Sequence, residues 1–229
     1  MPRYIQRYTD GQRLNHWLIA LLFLCAGASG LAFFHPSLFW LSTFFGGGTW
    51  ARILHPFLGV AMALAFIGLA VRLWRENLLH SHDREWLRHA PKMLKGDKAG
   101  MPPVGKYNAG QKAVFWVFVV ALAVLLVTGF MFWQPWFAPA FAIPLRRVAV
   151  LLHAIAAFVL VLGVIVHVYA AIWVKGTVRA MTRGTVNEGW ARQNHPLWHR
   201  EVTQRAAAGT TPGVTPGLGR PLPPTRSTP

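Results

Sequence analysis

Four stretches of this chain contain no aspartate, glutamate, lysine or arginine: Leu14 to Phe34, Ile53 to Val71, Ala113 to Trp133 and Val148 to Val174. At about 1.5 Å of rise per residue, each is long enough as a helix to cross a hydrocarbon core about 30 Å thick. A lone segment in lipid can satisfy its backbone N–H and C=O groups only within itself. The four runs therefore predict an all-α membrane protein, a four-transmembrane-helix bundle occupying residues 1–205. Trp17, Trp40, Trp50, Trp74, Trp116, Trp133, Trp136 and Trp173 lie at or near the ends of the runs, where an amphipathic ring favours the headgroup layer. The first run is too long for the apolar core of a cleaved signal peptide and reads as an uncleaved anchor. From Ala206 to Pro229 the chain turns to Ala, Gly, Pro and Thr with almost no large apolar residue, the composition of a disordered tail.

Lysine and arginine number 23 against 7 acidic residues, a formal net charge of +16. A nucleic-acid binder could carry that excess but has no need of unbroken apolar runs, so no nucleic-acid partner is expected. The distribution of the cations says more than their sum. Arg3, Arg7 and Arg13 precede the first run, nine cations fall between Arg72 and Lys112, and eight lie from Lys175 onward. The other two connections hold only Arg52, Arg146 and Arg147. Cations flank cytoplasmic loops. Both termini and the long middle connection are thus expected on the cytoplasmic side of a bacterial inner membrane, with the 35–52 and 134–147 connections outside. The excess reads as a topology signal and as attraction to anionic membrane lipid.

Ten histidines are present, and four of them, His16, His55, His153 and His167, lie within the runs. Ionisable residues at membrane depth are functional more often than not, although one histidine alone can simply hydrogen-bond between helices. Their placement carries the argument. His153 and His167 are fourteen residues apart, so on one helix they share a face to within roughly 40° and differ in depth by about 21 Å. His55 sits near the outer end of the second helix and His16 near the inner end of the first. Topology thus forms an outer pair, His55 with His153, and an inner pair, His16 with His167.

Two opposed imidazoles between helices suit the axial positions of a haem iron, a flat macrocycle that fits between helices. The chain's single cysteine, Cys25, excludes an internal disulfide, an iron–sulfur or Cys-rich zinc site built by this chain alone, and covalent c-type attachment. The haems are therefore expected to be two non-covalent b-type groups. Zinc or copper falls short of its usual ligand count with two histidines per site. A proton relay ordinarily adds an intramembrane carboxylate. With both axial positions filled, no site is left on iron for oxygen or substrate, which points to electron transfer. Arg52, Arg146 and Arg147 near the outer pair and Arg13 near the inner one are candidate propionate partners, or set interfacial depth. Gly59 and Gly163, each four residues from a histidine on the same face, could admit a porphyrin or serve close helix packing.

The stretches RLNHW at 13–17, ILHPFLG at 53–59, KYNAGQK at 106–112, LLHAIAAF at 151–158, VHVYAAI at 166–172 and AMTRGTVNEGWARQNHPLWHREV at 180–202 resemble the gamma, cytochrome b, subunit of membrane-bound respiratory formate dehydrogenases. The resemblance covers residues 3 to about 203. It implies a membrane anchor that takes electrons from an iron–sulfur subunit, itself fed by a molybdenum or tungsten subunit that oxidises formate. It implies further that the electrons pass through the outer and then the inner haem to quinone, with no formate-oxidising site in this chain. By the same resemblance Asn108, Gly110 and Gln111 belong to the quinone pocket. Read without it, the segment is a polar helix start with Asn108 as N-cap. The 180–202 segment, with Trp190, His195, Trp198 and His199, is too aromatic for a free tail and is expected to dock on the cytoplasmic face or on a partner's membrane helix. His80-Ser81-His82-Asp83 looks superficially like a metal motif and is expected to be a solvated loop. The nearest rival reading is the cytochrome b subunit of another oxidoreductase such as a nickel–iron hydrogenase. A histidine-dependent transporter or proton channel is the rival of a different class.

Overall fold

The structure is a computed structural model that describes residues 3–94 and 101–208. In chain order it runs β1 (Tyr4–Gln6), α1 (Asp10–Phe34), a 3-10 stretch Pro36–Phe45, α2 (Gly48–Leu73), a single 3-10 turn Arg75–Asn77 and α3 (Ser81–Leu94). There follow α4 (Ala109–Phe132), a 3-10 turn Ala138–Ala140, α5 (Ile143–Trp173), α6 (Thr177–Arg183), β2 (Thr185–Asn187), α7 (Glu188–Asn194) and α8 (Pro196–Ala207). Four helices, α1, α2, α4 and α5, are long and apolar enough to cross a membrane, and they coincide with the four charge-free runs.

Each of these helices begins before its run does: α1 at Asp10, α2 at Gly48, α4 at Ala109 and α5 at Ile143. The added turns carry Arg13, Arg52, Lys112, Arg146 and Arg147; the long stems of exposed Arg52 and Arg147 let their charge reach water while the backbone continues the helix, whereas Lys112 is buried. The starts are written locally. Thr9 and Gln12 form a capping box at the head of α1, with Thr9 Oγ1 accepting from Gln12 N at 3.3 Å and Gln12 Oε1 from Thr9 N at 3.0 Å. Asn108 and Gln111 repeat it at α4, at 2.9 and 3.0 Å. Such a box satisfies two backbone donors that a helix start leaves open. Phe34 ends α1 because His35, preceding Pro36, is extended.

Helices α1 and α2 pack as one hairpin, α4 and α5 as another; the two hairpins meet mainly through α2 and α4 and only slightly through α1 and α5. Met62, Phe66, Ala121, Leu122 and Leu160 form the buried core between them. The outer faces, with Leu14, Leu18, Leu21, Val120, Val127, Ile165 and Ile172, are exposed. That much apolar surface on membrane-length helices makes this a multi-pass membrane protein.

One end of the bundle carries the segments before α1 and after α5 and closes into a small polar-and-aromatic cap. Residues Tyr4, Ile5 and Gln6 pair antiparallel with Asn187, Val186 and Thr185, a ribbon too short to be legible as strands. Around it Ile5, Tyr8, Tyr107, Ala180, Val186, Ala191 and Trp198 form a separate buried core. Leu197 N bonds to Val104 O at 3.1 Å and Glu188 N to Arg3 O at 2.9 Å. The 180–202 segment therefore docks on this chain's own N-terminus and on the connection ahead of α4. At the centre of the cap lies Arg7, 6% exposed, with Cζ 4.9 Å from the Trp198 ring, 5.3 Å from Trp190 and 5.7 Å from both Tyr8 and Tyr107.

Two local expectations change. The stretch 80–83 is no solvated loop: Ser81 opens α3 and the buried Asp83 receives Lys112 Nζ at 2.8 Å. That cation lies 29 residues away, where no local pattern points to it. Helix α8 runs to Ala207, so residues 206 and 207 are helical; the tail beyond 208 lies outside the described residues.

Candidate functional site

The structure brings the four intramembrane histidines together in the expected couples. His55 on α2 and His153 on α5 have ring centroids 6.2 Å apart, and His16 on α1 and His167 on α5 have theirs 6.1 Å apart. Metal–imidazole bonds of about 2 Å on opposite sides of one ion, plus half a ring's width each, give a centroid spacing of roughly 6 Å. Among the described residues no group of three or more His, Cys, Asp or Glu converges. Each couple thus offers an ion two nitrogens and leaves the remaining positions to a ligand that brings its own, as a porphyrin does.

The outer couple is oriented by hydroxyls. His55 Nδ1 lies 3.1 Å from the Ala26 carbonyl and 3.0 Å from Ser29 Oγ. A carbonyl can only accept, so Nδ1 carries the proton and Nε2 keeps its lone pair. On the other side Thr128 Oγ1 donates to Val124 O at 2.6 Å, leaving its oxygen to accept from His153 Nδ1 at 3.0 Å. Fixing Nδ1 in this way is how proteins aim a ligating Nε2. Two glycines admit the rings: a Cβ at Gly30 would lie 3.0 Å from His55 Cε1, and one at Gly129 3.4 Å from His153 Cε1. Ser29, Thr128, Gly30 and Gly129 escaped the sequence reading. Each lies 24 to 26 residues from its histidine or on a neighbouring helix, so only tertiary contact reveals them.

The inner couple is held by the residues around His16 rather than by bonds to its ring. Asn15 Nδ2 donates to Ala65 O at 3.1 Å, Trp17 Nε1 to Met181 O at 3.2 Å, and Arg13 to Met181 O at 3.2 Å and Thr182 O at 2.8 Å. His16 Nδ1 itself is buried without a hydrogen-bond partner, and His167, whose ring neighbours those of His16 and Phe118, is an exposed residue of α5. A polar residue open at membrane depth is costly unless something covers it. Of the two glycines singled out by spacing, Gly59 has nothing within 4 Å of a Cβ position, whereas Gly163 seats Phe118, whose Cε1 would lie 2.7 Å away. Gly163 therefore serves helix packing, the alternative reading of its spacing.

The candidate propionate partners separate. Arg13 is engaged with Asp10 and with the last carbonyls of α6, where the helix dipole favours a cation. Arg52 and Arg147 are exposed. Arg146 has a buried Nε with no partner and borders an open hollow of about 450 Å³ shared with Phe132, Ile143, Arg147 and Val150. Phe132 in turn lies 5.2 Å from the His153 ring. In the KYNAGQK segment Asn108 and Gln111 spend their side-chain oxygens on the capping box, so their NH2 groups are what each can offer a ligand. Gly110 lies under Trp86, whose Cη2 would be 3.2 Å from a Cβ.

The family described as prokaryotic cytochrome b561 matches residues 7–184 of this chain. The chain is 46% identical over 198 residues, 86% of its length and 93% of the relative's, to the formate dehydrogenase cytochrome b556(fdo) subunit of Escherichia coli K12. It is 41% identical over 197 residues to the formate dehydrogenase cytochrome b556 subunit of Haemophilus influenzae, covering 86% of this chain and 83% of that one. It is 40% identical over 195 residues to the nitrate-inducible cytochrome b556(Fdn) subunit of Escherichia coli K12, covering 85% and 90%. A matched bundle, a histidine on each side of two interhelical gaps and this degree of identity over most of the chain lead to one assignment: the chain belongs to the prokaryotic cytochrome b561 family, among the cytochrome b556 subunits of formate dehydrogenases.

Proposed function

We propose that this chain is the di-haem membrane anchor of a respiratory formate dehydrogenase, passing electrons from an iron–sulfur subunit to quinone. The observation that carries the reading is the matching geometry of the two imidazole couples, 6.2 and 6.1 Å between centroids, in a bundle whose hairpins scarcely touch where α1 faces α5. Two non-covalent b-type haems held by His55 with His153 and by His16 with His167 supply one-electron carriers at two membrane depths. Ser29 and Thr128 hold the outer imidazoles in the ligating tautomer. Arg146 offers its unpartnered guanidinium N–H to an outer propionate. The chain has no formate-oxidising site of its own; that chemistry belongs to a molybdenum or tungsten subunit.

Twenty of the 23 cations lie in the terminal segments and the long middle connection, a bias that supports a cytoplasmic side for that cap. The inner couple and the head of α4 then face the cytoplasm, and quinone binds near Asn108, Gly110 and Gln111 with the amide NH2 groups donating to a carbonyl oxygen. Reducing quinone there with cytoplasmic protons, while formate is oxidised outside, separates charge across the membrane.

Two measurements test this. The purified complex should contain about two haems per copy of this chain, and Thr128→Val should weaken binding of the outer haem by about 10–100-fold while leaving the inner one in place. Asn108→Asp keeps the cap oxygen and removes the NH2 donor. It should slow quinone-driven reoxidation of the formate-reduced haems about tenfold, the value of one hydrogen bond to the acceptor, with both haem spectra unchanged. A native reoxidation rate in Asn108→Asp would remove this segment from the quinone pocket.

A further inference from the structure

Reducing a quinone to a quinol turns two carbonyl oxygens into hydroxyls, which takes two electrons and two protons. Formate oxidation in the partner subunit supplies the electrons; the protons have to come from solvent through this chain. Beside the head of α4 the structure holds three ionisable side chains in sequence from solvent to interior. The His80 side chain is 55% exposed, and its Nδ1 lies 3.3 Å from Lys112 Nζ. Lys112 Nζ in turn donates to Asp83 Oδ2 at 2.8 Å, and these two side chains are only 5% and 3% exposed. His80 N also donates to Asp83 Oδ2, at 2.7 Å, which locks the start of α3 over the pair.

We propose that His80, Lys112 and Asp83 form the proton entry to the quinone-reducing site, with His80 as the solvent contact, Lys112 as the group that releases the proton and Asp83 as its fixed counter-charge. The proposal rests on the reading that quinone binds at Asn108–Gln111. Lys112 lies one turn beyond Asn108, the N-cap of α4, and its N–H donates to the Asn108 carbonyl at 3.0 Å, so the two residues bound the first turn of the helix. Trp86, one turn beyond Asp83 on α3, covers Gly110 and closes the turn from the α3 side. An ammonium that gives a proton to a quinone oxygen becomes an amine, which accepts the next one from the His80 ring 3.3 Å away once that ring has itself been protonated to the imidazolium. Water supplies that proton to the exposed imidazole, and the ring returns to neutral when it hands the proton on. Each proton that leaves Lys112 ends on a quinone oxygen, and each that enters comes through His80. Asp83 Oδ2, 2.8 Å from Lys112 Nζ, is the counter-charge that the returning ammonium meets.

Three other ionisable groups near the head of α4 are engaged elsewhere. Glu76 holds Lys106 at 2.8 Å. Tyr107 is pushed well above the ordinary phenol range by burial and then by the neighbouring Tyr8, which keeps its proton in place. Arg7 is enclosed by the aromatic rings of the cap.

Three variants of the intact complex test the proposal, with haem content and formate-driven haem reduction as controls. Lys112→Arg keeps the charge and the ion pair but cannot release a proton. It should slow quinone-driven haem reoxidation by about tenfold or more and raise its solvent deuterium isotope effect. His80→Ala should slow the same step and recover on addition of free imidazole, a rescue that a merely structural contact would not show. Asp83→Asn should slow it as well, with both haems present. Native reoxidation in Lys112→Arg, or a His80→Ala defect that imidazole leaves unchanged, overturns the relay. If these variants are native while Asn108→Asp is slow, the quinone pocket stands and the relay alone falls. If all of them are native, quinone is reduced elsewhere and both readings fall together.

Discussion

Replacing His153 with alanine should leave a folded complex that holds about one haem per copy of this chain instead of two and no longer reduces quinone with formate. The magnitude follows from what the residue does. His153 and His55 stand 6.2 Å apart across the gap between α5 and α2, and on the proposed reading removing one imidazole would leave the outer haem with a single protein ligand. A lost supporting hydrogen bond to a metal ligand costs about 10–100-fold in affinity; loss of the ligand itself costs more, enough to empty the site during purification. The inner couple lies at the other end of α5 and shares no side chain with the outer one, so its absorption band should persist and serve as the fold control. His16→Ala should give the mirror result: the remaining haem is still reduced by formate, and the electrons stop there. A pyridine haemochrome assay, together with formate- and quinol-driven spectra, reads both variants. Loss of the inner band in His153→Ala, with the outer one retained, would mean that the couples have been assigned to the wrong ends.

The sequence was most legible where one physical rule acts on a contiguous segment. Absence of charge over Leu14–Phe34 or Val148–Val174 marks lipid crossing because every residue in the run must meet the same solvent. Helix rise then sets the depth of His153 against His167 without any tertiary information. Legibility failed where a partner is distant. Nothing near Asp83 announces that Lys112 will neutralise it, so a stretch with two histidines, a serine and an aspartate reads as a solvated loop. Ser29 and Thr128 look like ordinary small polar residues in apolar helices; their roles depend on which histidine the fold lays beside them. Gly163 stayed open between admitting a porphyrin and helix packing for a related reason. Spacing puts it on the face of His167, but a helix face is wide enough to hold both a histidine and Phe118. The cap at the termini was visible only as an excess of aromatic residues in 180–202, because three-residue strands carry no periodicity to read.

That cap should come apart ahead of the bundle when Arg7 is replaced by methionine, a side chain of similar length and no charge. Arg7 is buried, donates to the Lys106 carbonyl, approaches His195 Nε2 at 3.4 Å and faces four aromatic rings within 5.7 Å. A desolvated cation over one aromatic face contributes about 2 kcal/mol, and leaving the part-buried Lys106 carbonyl unsatisfied costs about 1 kcal/mol more. A loss of about 3 kcal/mol is therefore expected for the local opening equilibrium. His195 adds a pH signature. It is 3% exposed, and burial first, then the Arg7 charge, lowers its pKa to about 3, against the bond from Nδ1 to the Gly105 carbonyl at 2.8 Å. Between that value and the ordinary imidazole pKa near 6.5 the opened cap binds a proton that the closed cap does not. Its stability is then complete above that ordinary value and is lost as pH falls through the window, by about 2 kcal/mol at pH 5. In Arg7→Met the cation is gone, so His195 should titrate closer to its ordinary range and the pH dependence should flatten as the overall protection falls. Amide hydrogen exchange at Ile5 and Val186, measured at pH 7 and pH 5 and corrected for intrinsic rates, reads both effects. Exchange there that ignores both pH and Arg7 would show that the cap is held by the β1–β2 ribbon and the apolar contacts of Trp198, with the buried cation a passenger.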